Sequence, residues 1–147
     1  MVTSARSRFV QGIDVARLET AIATAERLTS GELRIGISRF YFWGNVRRAA
    51  EATFARLRMK RTHHRNAVLV FVAPRRRQFA VIGDVGIHER VAPSFWSDLA
   101  RELEAAFKTG DLTAGLERAV ATIGERLAQH FPPDPTEANE LPNRVIV

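Results

Sequence analysis

Three of the four histidines, His63, His64 and His88, stand in two short polar stretches with Arg65, Asp84 and Glu89. Imidazole beside carboxylate can bind a divalent metal or pass a proton near neutral pH. Asp84 and Glu89 would offer oxygens to Ca²⁺ or Mg²⁺, and His63, His64 or His88 would activate water. Arg65 would hold phosphate oxygens through its fork of donors. The chemistry so assembled is metal binding or proton transfer. The plainer alternative is a pair of polar loops whose histidines and acids satisfy their own hydrogen bonds. No HExxH, P-loop or GxSxG pattern decides between the two.

A second set of residues points to binding. Arg75, Arg76 and Arg77 follow Pro74, and Phe40, Tyr41, Phe42 and Trp43 run in succession. Arginines meet phosphates, while exposed rings stack on bases or sit at a membrane interface. An arginine-rich hairpin tip is also an ordinary solvated feature. Trp43, Arg65, Arg75, Arg76 and Arg77 form the candidate set for an anionic partner. A membrane surface or membrane-bound protein is favoured over nucleic acid.

These side chains act together only if the fold gathers them. Val15, Leu18, Ile22 and Ala25 recur at helical spacing and predict a helix over residues 14–28, with Gly31 as its stop. Residues 32–38 alternate as a strand. Asn45 caps a helix from 46 to about 59 that buries Ala50, Thr53, Phe54 and Leu57. Val68 to Val72 are continuously apolar, as in a strand covered on both faces. After Pro74 the chain returns as a strand over 79–83, and residues 84–92 read as a loop. Pro93 opens a helix to about 108 with Phe95, Leu99, Leu103 and Phe107 on one side. Gly110 ends it, and Asp111 caps a last helix with core face Leu112, Leu116, Val120, Ile123 and Leu127. Pro132 and Pro133 forbid continuation. Residues 1–12 read as frayed. Residues 132–147 read as a proline-rich tail whose Val145, Ile146 and Val147 can dock on the body or on a neighbour.

The order αβαββαα specifies an α/β fold, a three-layer αβα sandwich around a small mixed sheet. It forms one domain over 1–131 with the tail at 132–147. The first two strands should be parallel, with a right-handed crossover, and the third antiparallel. Residues 29–32, 63–65 and 83–89 then converge at one end, and the aromatic loop and the three arginines lie at the other. Within the first end, Gly83-Asp84-Val85-Gly86 admits two readings. Its glycines free backbone N–H groups for an anion, or they supply positive φ in a tight bend.

Composition narrows the classes. At 147 residues with 46% hydrophobic side chains, the chain is long enough for one self-sufficient core. There is no cysteine, so disulfides, thiolate metal sites and cysteine nucleophiles are excluded. No apolar run approaches the ~20 residues that span a bilayer. No apolar segment follows Arg6 and Arg8 in the manner of a secretory signal. The expectation is a cytoplasmic protein, at most peripheral to a membrane. The net charge of +6 fits an anionic partner or a simple arginine bias.

Three motifs occur in order: Thr29-Ser30-Gly31-Glu32-Leu33-Arg34-Ile35, the run from Asn66-Ala67-Val68 through Arg77 and Phe79 to Gly83, and Phe107-Lys108-Thr109-Gly110-Asp111 with Gly115-Leu116. Together they resemble the TPM domain family, formerly a domain of unknown function. The resemblance covers roughly residues 15–130. It implies an αβα sandwich and ties to membranes, since many members carry transmembrane segments or act beside membrane complexes. It also implies acid phosphatase activity and calcium binding, credited to acidic residues after the third strand. Here His88 stands where that pattern has glutamate, and the later aspartate position falls near Ala92 or Pro93. The expectation is a non-catalytic accessory domain with a protein partner near a membrane. Its alternatives are a metal-dependent phosphatase and a binder of anions through arginine-rich loops.

Overall fold

The computed structural model describes residues 8–40, 42–134 and 144–147. A two-strand hairpin, β1 (Phe9–Val10) and β2 (Ile13–Asp14), leads into helix α1 (Val15–Glu26). Strand β3 (Glu32–Ile37), helix α2 (Val46–Arg56), β4 (Ala67–Ala73) and β5 (Gln78–Gly83) follow. A single helical turn, α3 (Val85–His88), precedes the long helices α4 (Pro93–Thr109) and α5 (Leu112–His130).

The central sheet has the order β3-β4-β5, with β3 parallel to β4 and β4 antiparallel to β5. Side chains alternate across it because successive Cβ atoms in a strand point to opposite faces. Leu33, Ile35, Ile37, Val68, Val70 and Val72 pack under α1, α4 and α5. Leu69, Phe71 and Ala73 pack under α2 with Val46, Ala50 and Phe54. The result is the expected three-layer α/β sandwich with a mixed sheet.

Local signals in the sequence set most of the ends. Asn45 and Asp111 accept hydrogen bonds from Arg48 N and Ala114 N as N-caps, and Gly110 takes φ +84° to close α4. Three expectations are corrected. Residues 8–14 are not frayed, because Gln11 and Gly12 both adopt positive φ and make a tight hairpin turn. Arg8 then forks onto Asp14, which also caps α1 through Arg17 N. The segment read as a loop over 84–92 contains α3. Gly31 does not terminate α1, which ends at Glu26; a side chain there would crowd Leu127.

The tail returns to the body. Val145 is buried, and Ile146 pairs in parallel with Gly36 on the free edge of β3. Ile37 N donates to Ile146 O at 2.7 Å and Ile146 N to Ile35 O at 2.8 Å. An edge strand exposes unpaired donors and acceptors, and these residues cover part of that edge.

Candidate functional site

The first predicted end forms as expected in its backbone. Asp84 N donates to Ala67 O and Gly86 N to Arg65 O, so the chain leaving β5 folds back on residues 64–67. Arg65 reaches Asp84 with both arms of its fork, Nε to Oδ2 at 2.6 Å and Nη2 to Oδ1 at 2.7 Å. Oδ1 also accepts from Val85 N at 2.8 Å, which caps α3. Only 3% of the Asp84 side chain is exposed. The hydrogen bond to Asp84 holds the Arg65 guanidinium pKa above its usual value.

The two glycines of Gly83-Asp84-Val85-Gly86 serve neither purpose that the sequence suggested. Neither has positive φ. The N–H groups of Val85, Gly86 and Ile87 are all engaged, by Asp84 Oδ1, Arg65 O and Asp84 O. Close approach is what requires them. A Cβ on Gly86 would collide with the His64 carbonyl oxygen, and one on Gly83 would lie 2.5 Å from the Trp96 ring.

The histidines are distributed along this rim. The His88 ring lies 4.9 Å from that of Trp96. His64 stacks edge-on to His63 at 4.6 Å and faces Phe131 at 6.4 Å. His64 also lines a depression of about 340 Å³ with Ser30, Arg90 and His130. Sequence reasoning missed His130 and Arg90. The signal lay in Thr29-Ser30: Thr29 Oγ1 and Ser30 N both donate to Phe131 O, fastening the end of α5 to this rim.

A calcium or magnesium ion needs several free oxygens around it. Among the described residues no group of three histidines and acids could hold an ion. Asp84 has committed both oxygens to Arg65 and Val85, so Asp84 with Glu89 does not fit a divalent cation at this rim.

A different charged cluster lies at the edge of β3. Glu32 and Arg34 are 3% and 4% exposed. Glu26 Oε2 accepts from Leu33 N at 2.7 Å, capping the sheet edge. Burial, with Glu32 close by, pushes the Glu26 carboxyl up to about 8, against the pull of the Leu33 N–H. Burial lowers the Arg34 pKa, and its Nη2 donates to Arg144 O at 3.4 Å. Glu19 Oε2 accepts from Val145 N at 2.8 Å. Charged groups of the body therefore grip the returning tail.

At the opposite end, Arg76 lies over the Phe42 ring at 4.8 Å and donates to Gly44 O, joining the hairpin tip to the aromatic loop. Arg77 donates to Phe107 O at 3.3 Å, and Arg75 is exposed. Phe40 is 74% and Trp43 87% exposed; Tyr41 lies outside the described residues. Behind Phe40 an apolar groove of about 420 Å³ runs between α2 and β3, over Gly36, Phe71 and Ala49 and beside Arg39 and Arg56.

The TPM domain family model matches residues 6–126. The chain belongs to the TPM domain family. This TPM domain is similar to the BA42 protein of the psychrophilic bacterium Bizionia argentinensis, solved by NMR, at 30% identity and TM-score 0.85, over 98% of this chain and 99% of that one. The N-terminal domain of cg2496 from Corynebacterium glutamicum shares the fold at 9% identity and TM-score 0.61, over 93% of this chain and 90% of that one. No curated protein matches. No helix among the described residues is long and apolar enough to cross a membrane.

Proposed function

We propose that this TPM domain is a non-catalytic interaction domain that works on the cytoplasmic side, beside membrane-associated partners. The observation that carries this reading is the fate of Asp84. A general base or metal ligand needs a carboxylate that substrate, water or ion can reach. Asp84 is buried, forked by Arg65 and bonded to Val85 N. It holds two loops together, and its oxygens are spent on Arg65 and Val85 N rather than presented to a substrate.

The test is turnover of a phosphomonoester by the purified chain with Ca²⁺ or Mg²⁺ added. No metal-dependent turnover is expected. Turnover abolished by Asp84→Asn in a variant that still folds would replace this reading with a hydrolase. The depression lined by Ser30, His64, Arg90 and His130 favours that second reading, since imidazoles can transfer protons and arginine can bind phosphate. His64→Gln and His130→Gln test it directly.

A further inference from the structure

The molecule's charge is divided unevenly along the chain. Residues 39–77 hold ten arginines and one lysine against a single acid, Glu51, a net +10. The whole chain is +6, so all other residues together carry −4. This segment builds the aromatic loop, α2, the stretch that carries Arg65 to the Asp84 rim, β4 and the arginine tip after it; the aromatic loop, α2 and the tip alone hold Arg39, Arg47, Arg48, Arg56, Arg75, Arg76 and Arg77 against Glu51. Glu51 is itself paired with Arg47 at 3.2 Å. Arg39, Arg48, Arg56 and Arg75 are exposed, Arg39 and Arg56 in the same groove as Phe40, and Phe40 and Trp43 are the most exposed aromatic rings among the described residues.

We propose that the α2 layer is a docking surface for an anionic lipid bilayer, with Phe40 and Trp43 entering the headgroup region and the surrounding arginines meeting lipid phosphates. The proposal rests on the reading of this chain as an interaction domain at membranes and names its lipid. Charge complementarity supplies the attraction, about 1 kcal/mol, or fivefold in affinity, for each arginine held near an anionic surface. Ring placement distinguishes lipid from nucleic acid. Base-stacking surfaces generally present rings along a basic groove that tracks the phosphate backbone. Here α2 covers this face of β4 and β5, and Phe40 and Trp43 project from a loop with tryptophan in the role it plays at membrane interfaces. The groove behind Phe40 is apolar and flanked by Arg39 and Arg56. That pairing of apolar surface with cations suits lipid better than a phosphodiester chain.

The experiment is flotation of the full chain with phosphatidylcholine vesicles, with and without phosphatidylglycerol, while tryptophan emission is recorded. Trp96 is the only other tryptophan and packs on His88, so Trp43→Ser assigns the signal. Flotation only with phosphatidylglycerol, and a blue shift absent in Trp43→Ser, are expected. Arg47→Gln/Arg48→Gln/Arg56→Gln should weaken binding on the order of a hundredfold with an unchanged circular dichroism spectrum. Three outcomes overturn the proposal: folded wild type that ignores phosphatidylglycerol, a triple variant that binds as well as wild type, or a duplex oligonucleotide that strips the protein from vesicles at equal phosphate. Flotation reads the α2 layer alone and phosphomonoester turnover reads the rim alone, so each reading can fail without the other.

Discussion

The two ends of the sheet carry the residues that look most like chemistry, and they use them in opposite ways. At the rim after β5, the central acid turns inward while His63, His64, His88 and Glu89 stay exposed. Asp84 is forked by Arg65, the N–H groups of α3 are engaged, and His88 lies on Trp96. At the aromatic loop and α2, cations and rings turn outward, with Trp43 87% exposed. Residue type alone does not separate a working site from a fastening. What separates them is whether the polar atoms are already spent. Asp84 and Arg65 make the rim a structural knot, whereas the aromatic loop and α2 expose Phe40, Trp43, Arg39, Arg48 and Arg56.

Breaking the knot should cost the most. Gly86→Val puts side-chain carbon against the His64 and Arg65 carbonyls, which are backbone and cannot swing aside. A loss of about 3 kcal/mol is expected, roughly 10 °C in Tm. Thermal unfolding followed by circular dichroism measures it. An unchanged Tm would mean that the two loops are not in contact.

Asp84→Ala should be the next largest loss, since it removes a helix cap, about 1 kcal/mol on its own, together with the fork from Arg65. Adding Arg65→Ala to it should cost little more, because both variants break one unit. A double-mutant cycle in urea reads this. Additive losses would show that Arg65 and Asp84 act separately.

Much of this rim was legible beforehand. Parallel β3 and β4 with a returning β5 bring residues 63–65 and 83–89 together, and element order with the crossover rule is enough for that. Whether Asp84 would be free or forked was not legible, since an aspartate reads the same in either state. Gly83 and Gly86 were visible as special positions, but their cause was steric, in Trp96 and the His64 carbonyl, and only coordinates place those atoms. His130 was hidden because it sits at the end of a helix whose direction matters only once Thr29 latches onto Phe131. The hairpin at 8–14 was missed because two-residue strands are too short to show alternation. The segregation of charge in residues 39–77 lay in plain view. The acids elsewhere in the chain dilute it to a total of +6.

A third effect lies at the start of β3, on its free edge. The Glu26 carboxyl sits at about 8 in the folded chain, against its ordinary 4.5. The folded state therefore holds a proton that the unfolded state releases over this interval. Stability should fall as pH rises from about 5 to about 8 and level off above. Glu26→Gln mimics the protonated form and still accepts from Leu33 N. It should flatten the profile and be more stable than wild type at pH 9. Urea midpoints at pH 5, 7 and 9 provide the comparison. Parallel profiles in the two proteins would acquit Glu26 of the dependence.

The smallest expected change in stability is the one that sharpens the contrast most. Arg47, Arg48 and Arg56 are exposed, and among the described residues, apart from the surface pair of Arg47 with Glu51, they tie no loop to another. Surface substitutions of this kind usually alter stability by less than about 0.5 kcal/mol each, and relief of mutual repulsion can offset even that. Their conversion to glutamine should therefore leave the urea midpoint where it is while lowering the affinity for phosphatidylglycerol vesicles. Asp84→Ala should do the reverse at temperatures where it remains folded, losing stability and keeping vesicle binding. Such a crossed result separates a fastening from a docking face by measurement. If the arginine variant loses stability as readily as the aspartate variant, the α2 layer is part of the knot, and the distinction between the two ends falls.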